Sequence, residues 1–154
     1  MLQPELEAFA TLLDSAARNG VATGQITLRH PITIDDAYQV QRLLVSKRLE
    51  RTGRVCGLKV GFTSKAKMIQ MGVDQVFFGP LNSDMQIQNS GRISMAQAIH
   101  PRIEPEIAFR LAEDVDYVLS PNSALSAVDA IAPALEIIDS RYKDFQFTLQ
   151  DVIA

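Results

Sequence analysis

The sequence predicts an α+β fold, with two amphipathic helices first and short strands after them. Apolar residues recur at helical spacing from about Pro4 to Asn19 and again from Ala37 to Leu49. From Val55 onward the apolar runs shorten to strand length, and Gly, Pro and Asn punctuate them. The chain has 154 residues, 47% apolar and 21% charged, which is enough apolar content for one hydrophobic core.

The first helix carries Phe9, Leu12, Leu13, Ala16 and Ala17 on one stripe and stops at Gly20. The second opens at Thr33, a capping residue with Asp36 three positions on, and Ala37, Val40, Leu43, Leu44 and Leu49 keep the period until Gly53. Both have the pattern of outer helices. A short strand then ends near Val60 and passes through Gly61 into a helix capped by Thr63 or Ser64 and closed by Gly72. From Val76 to Ile99 the chain reads as short strands broken at Gly79, Pro80, Asn89 and Gly91. A strand over Arg102–Leu111 follows, then a helix from about Asn122 to Ala132 that ends before Pro133, then a strand in "ALEIIDS". Thr148 with Asp151 three residues on marks a last helix start, yet the chain stops at Ala154, as expected of the N-terminal part of a longer chain.

Charge narrows the function classes. A net charge of −3, from 15 Lys+Arg against 18 Asp+Glu, provides no broad positive field for nucleic acid or anionic lipid. No apolar run is long enough for a membrane span, and the acidic, mixed N-terminus is no signal peptide, so the expected location is cytoplasmic. The single cysteine, Cys56, excludes an intrachain disulfide and a thiolate cluster and reads as a strand residue in a reducing compartment.

The stretch "IHPRIEPEIAF" places Glu104 and Glu106 one residue apart inside an apolar run. On a strand the period of two turns both carboxylates to one face and Ile103, Pro105 and Ile107 to the other. Two readings follow: a solvated strand face, or a site for a hard cation such as Mg²⁺, Mn²⁺ or Ca²⁺. Glu136, between Leu135 and Ile137, is the natural third oxygen ligand, or else a lone charge on the wet side of its strand. Lys59 in "VCGLKVG" is either a partly desolvated proton shuttle or carboxylate anchor with a lowered pKa, or a lysine snorkelling at a strand end. Its glycines lack the order of a phosphate-binding loop. His30 and His100 precede prolines and read as loop or cap residues, with His100 near enough in sequence to support Glu104. Asp139, Ser140 and Arg141 stand at a strand end, where ligands often bind.

Three segments, "GLKVGFTSKAKMIQMGV", "HPRIEPEIAF" and "ALEIIDSRYKDFQF", together resemble the 2-keto-4-pentenoate hydratase and 4-oxalocrotonate decarboxylase family of the fumarylacetoacetate hydrolase superfamily. The resemblance runs from about Asp35 to the end of the chain. It implies a mixed β-roll with outer helices, residues 1–54 forming an N-terminal helical region and 55–154 part of the catalytic roll. It implies a Mg²⁺ or Mn²⁺ ion on Glu104, Glu106 and Glu136, Lys59 as catalyst beside the substrate, and Ser64, Phe77 and Arg141 as further substrate-binding residues. The hydratases carry an aspartate in a "PDFG"-like segment where this chain has Phe77 in "QVFFGP", which favours the decarboxylase branch. The expected activity is decarboxylation of 2-oxohex-3-enedioate to 2-hydroxypenta-2,4-dienoate. Two alternatives stay open: hydration of that dienoate, and a non-catalytic subunit of such an enzyme. The expected partners are the small 2-oxo or 2-hydroxydienoate acid and either further copies of the chain or a related hydratase or decarboxylase.

Overall fold

The computed structural model describes residues 1–51, 53–115 and 118–154. They form two compact units, Met1–His100 with Ser140–Ala154, and Pro101–Asp139. The fold is α+β.

In the first unit, α1 (Gln3–Asn19) and α2 (Ile34–Leu49) pack through most of the stripes their sequences show, except that Ala17 is exposed and Leu6 and Ala10 join the buried face of α1. Leu6, Phe9, Ala10 and Leu13 of α1 meet Ala37, Val40 and Leu44 of α2 in a core that also takes Ile26, Ile32, Phe77, Tyr142 and Ile153. Local chemistry sets the helix ends. Gly20 takes a left-handed conformation after α1, at φ 62°. The Thr33 hydroxyl accepts from the Asp36 amide, and the Asp36 carboxylate accepts from the Thr33 amide and hydroxyl. Those two Thr33 bonds, amide first, hold the Asp36 carboxyl below the usual carboxylate range.

Strand β1 (Val55–Gly61) pairs antiparallel with β2 (Phe77–Asn82), and between them α3 (Lys65–Met71) is capped by Ser64 and closed by left-handed Gly72. Beyond Asn82 the expectation of further short strands fails. The described residues there make 3-10 turns at Ser83–Met85 and Met95–Gln97. Local bonds win in this stretch: the Ser94 hydroxyl accepts from the Ala96 amide, and the Gly91 amide donates to the Gln88 carbonyl.

The C-terminal segment returns to the first unit. Tyr142 lies in a parallel bridge with Thr23, whose amide donates to the Arg141 carbonyl at 2.8 Å. Buried Asp151 accepts from the amide and hydroxyl of both Thr27 and Thr148, while the Tyr142 hydroxyl donates to the Asp151 carbonyl at 2.9 Å. Burial, with the Asp151 charge nearby, raises the Tyr142 phenol well above its ordinary pKa.

The second unit is one long ladder. Strand β3 (Pro101–Leu111) pairs antiparallel with β4 (Val128–Asp139). This corrects the expected helix at 122–132: α4 is a single turn, Pro121–Ala124, a 3-10 turn follows at Leu125–Ala127, and the strand has begun by Val128. Alanines at 130, 132 and 134 favour helix by local propensity, but pairing along the whole of β3 overrides it. Pro133 does not break the strand, because each strand of a two-stranded ladder has an open edge that tolerates a missing N–H. The short final helix, α5 (Leu149–Ile153), belongs to the first unit and starts at the Thr148–Asp151 capping box.

Candidate functional site

The ladder sorts its side chains by face. Glu104 stands opposite Glu136, and Glu106 stands opposite Ala134. Ile103, Pro105, Ile107 and Phe109 fall on the other face with Ile131, Pro133, Leu135 and Ile137, an apolar stretch that ends at Asp139, opposite Pro101. Carboxylate oxygens of Glu104, Glu106 and Glu136 all lie within 4.8 Å of one another, with Glu104 and Glu136 half-buried and Glu106 exposed. The small side chain of Ala134 leaves room beside Glu106, and Ala108 continues the small surface on the same face.

Like charges directly opposite in a ladder repel. At 4.8 Å two unit charges cost about 0.9 kcal/mol in water, and more where solvent is excluded. The donor set suits a hard divalent cation: it is all oxygen, and oxygens sharing a cation at ~2.1–2.5 Å stand about 3–5 Å apart. Farther along the ladder, Arg110 Nε donates to Asp129 at 2.8 Å, which raises the guanidinium pKa and lowers that of the carboxyl.

In the first unit the structure brings Lys59 and Phe77 together. Lys59 is half-buried on β1 with its Nζ 6.0 Å from the centroid of the Phe77 ring, and the ring is itself buried. Ser64 serves as the α3 cap, its hydroxyl accepting from the Lys67 amide at 3.1 Å. Arg141 is half-buried and its carbonyl anchors the Thr23 bridge. His30 packs its ring on Phe9 and His100 on Phe145. An open groove of about 520 Å³ in this unit, lined by Ile34, Met71, Asp74, Phe147 and Gln150 among others, includes none of the expected site residues. The sequence reading passed over Phe62, a non-glycine residue at φ 59° packed on Phe77. Its place directly after Gly61 was the available signal.

An acidic, oxygen-only cluster on an α+β scaffold is the class of arrangement that hard cations occupy. No family model matches the chain. It is 49% identical over 150 residues, 97% of its length, to a 4-oxalocrotonate decarboxylase of Pseudomonas sp. It is 33% identical over 156 residues to a 2-keto-4-pentenoate hydratase of Paraburkholderia xenovorans. The solved 4-oxalocrotonate decarboxylase of Pseudomonas putida G7, complexed with magnesium and adipate, superposes on 99% of the chain with a TM-score of 0.89 at 32% identity. The chain belongs to the 4-oxalocrotonate decarboxylase and 2-keto-4-pentenoate hydratase family of the fumarylacetoacetate hydrolase superfamily. It spans 59% of the length of the first relative and 58% of the hydratase.

Proposed function

We propose that this chain is the N-terminal part of a divalent-metal-dependent 4-oxalocrotonate decarboxylase, converting 2-oxohex-3-enedioate to 2-hydroxypenta-2,4-dienoate and carbon dioxide in the cytoplasm. The convergence of Glu104, Glu106 and Glu136 on one face carries the reading. Residues 1–54 serve as the helical region and 55–154 as part of a β-roll completed by further sheet, in a homo-oligomer or a complex with a related hydratase. The apolar face of the β3–β4 ladder, with Ile103 66% and Leu135 69% exposed, is the surface such a roll would cover.

In this reading Glu104, Glu106 and Glu136 hold Mg²⁺ or Mn²⁺. When bound, that ion supplies a Lewis acid able to draw charge from the C2 oxygen of a 2-oxo acid. In the substrate the bond to the distal carboxylate breaks, its electron pair moves along the conjugated chain to the C2 oxygen, and one proton added there completes the hydroxydienoate. Lys59 is assigned to hold the acid group or to move that proton. Ser64 and Arg141 are assigned to substrate binding, and Phe77 to keeping water from the distal end.

Support for the diacid comes from the solved decarboxylase, whose adipate is a diacid of the same chain length as the proposed substrate. The hydratase reading is favoured by relatives such as the Paraburkholderia enzyme, but water addition needs a placed base and Phe77 provides none. The test follows carbon dioxide release and dienoate absorbance with Mg²⁺ or Mn²⁺ on both substrates, using the longest form of the protein that its gene encodes. Carbon dioxide from the diacid, with slow hydration of the dienoate, is expected. Rapid hydration with no carbon dioxide release overturns the assignment in favour of the hydratase.

A further inference from the structure

Two strand glycines stand opposite the two side chains that meet on the β1–β2 ladder. Gly79 is the cross-strand partner of Lys59, and Gly61 is the partner of Phe77. The period of two puts all four on one face. Each large side chain leans over the glycine opposite it. A Cβ on Gly79 would come within 3.1 Å of Lys59 Cγ and 3.5 Å of Cδ; one on Gly61 would come within 2.0 Å of Phe77 Cε1 and 2.3 Å of Cζ.

Neither glycine is needed for its backbone, because the left-handed glycines of the described chain are Gly20, Gly53 and Gly72. Room is what these positions provide. Gly57 shows the contrast two residues before Lys59 on the same face, where an added Cβ would meet only Leu81 Cδ1 at 3.9 Å, an ordinary contact. Phe62 packs against the Phe77 ring, with centroids 5.1 Å apart and the planes at 70°. It does so from the left-handed region, which a bulky residue rarely enters without a reason.

Resting on the substrate-handling role proposed above for Lys59, we infer that Gly61, Gly79 and Phe77 are positioning residues forming a reciprocal cradle that aims the Lys59 ammonium, and that Gly61 decides whether an aromatic residue can stand at position 77. A free lysine has a flexible four-carbon stem with many rotamers. Here the stem lies across Gly79 and the ammonium sits at the outer range of a cation–π contact with Phe77, so much of that freedom is removed before substrate arrives.

The test has one readout that needs no turnover and one that does. By NMR on the 154-residue chain, the Lys59 methylene protons next to the ammonium, which sits 6.0 Å from the Phe77 ring centroid, should be displaced upfield of those of the other lysines, with Lys59→Arg assigning the signals. Gly61→Ala and Phe77→Leu should each abolish the displacement, and Gly57→Ala should preserve it. In the turnover assay of the longest encoded form, Gly61→Ala should lower kcat by ~10- to 100-fold, the range expected for an ångström-scale misplacement, without changing the affinity for Mn²⁺. Adding Gly61→Ala to Phe77→Ala should cost little further, because the clash is gone.

Undisplaced Lys59 signals in the unmodified chain overturn the inference, as does an equal Gly61→Ala loss with and without the ring. If Gly61→Ala does not fold, Phe77→Leu and Gly79→Ala decide, the second through a partial change in the Lys59 shift. Absence of turnover alongside the expected pattern of shifts would remove the proposed reaction and leave the cradle standing.

Discussion

Substituting Glu106 by glutamine should have opposite effects on stability with and without a bound cation. Glu106 belongs to two of the three carboxylate pairs that lie within 4.8 Å, and each pair at that distance repels by about 0.9 kcal/mol in water. Removing one charge therefore relieves about 1.8 kcal/mol before screening, and about 1 kcal/mol at ~0.15 M salt, where the Debye length is ~8 Å. For a chain of this length that is a rise in Tm of about 2–4 °C in the presence of a chelator. With Mg²⁺ or Mn²⁺ at a hundred times its Kd, the unsubstituted protein should gain about 2.7 kcal/mol, or roughly 5–10 °C, and the variant should lose most of that gain. Thermal unfolding at fixed ionic strength, with Mn²⁺ calorimetry alongside, measures both signs. The cation site is refuted if metal raises the Tm of both proteins equally. An unchanged or lowered Tm of the variant in chelator would refute the mutual repulsion from which the site was argued.

Two further outcomes are expected in the first unit. Replacing Asp151, itself 1% exposed, by alanine takes the charged acceptor away from the amides and hydroxyls of Thr27 and Thr148 and should cost about 2–4 kcal/mol in urea unfolding; a loss under ~1 kcal/mol would show that these donors find other partners. Asp36 has a folded-state pKa below its ordinary 3.8, so its ionised form contributes stability above that value, and the contribution is lost as the pH falls through the lower, folded pKa. Asp36→Asn should accordingly be less stable than the parent at pH 6, with the difference closing at acid pH; a gap that stays constant on acidification would contradict the linkage.

Much of this molecule was legible without a structure because the deciding interactions span only a few residues. The Thr33–Asp36 and Thr148–Asp151 boxes, the Ser64 cap and the stops at Gly20 and Gly72 each join groups three or four positions apart. A strand's period of two likewise turned Glu104 and Glu106 to one face whatever the rest of the chain did. Tertiary structure decided what depends on partners remote in sequence. Residues 128–132 are strand because β3 pairs with them, and that ladder outweighs an alanine preference worth a few tenths of a kcal/mol per residue. The same register sets Glu136 across from Glu104, 32 positions away, a placement that neither local segment encodes. Lys59 and Phe77 meet for the same reason: the room each occupies is a missing side chain on the opposite strand, and only the pairing of β1 with β2 reveals which glycine faces which residue.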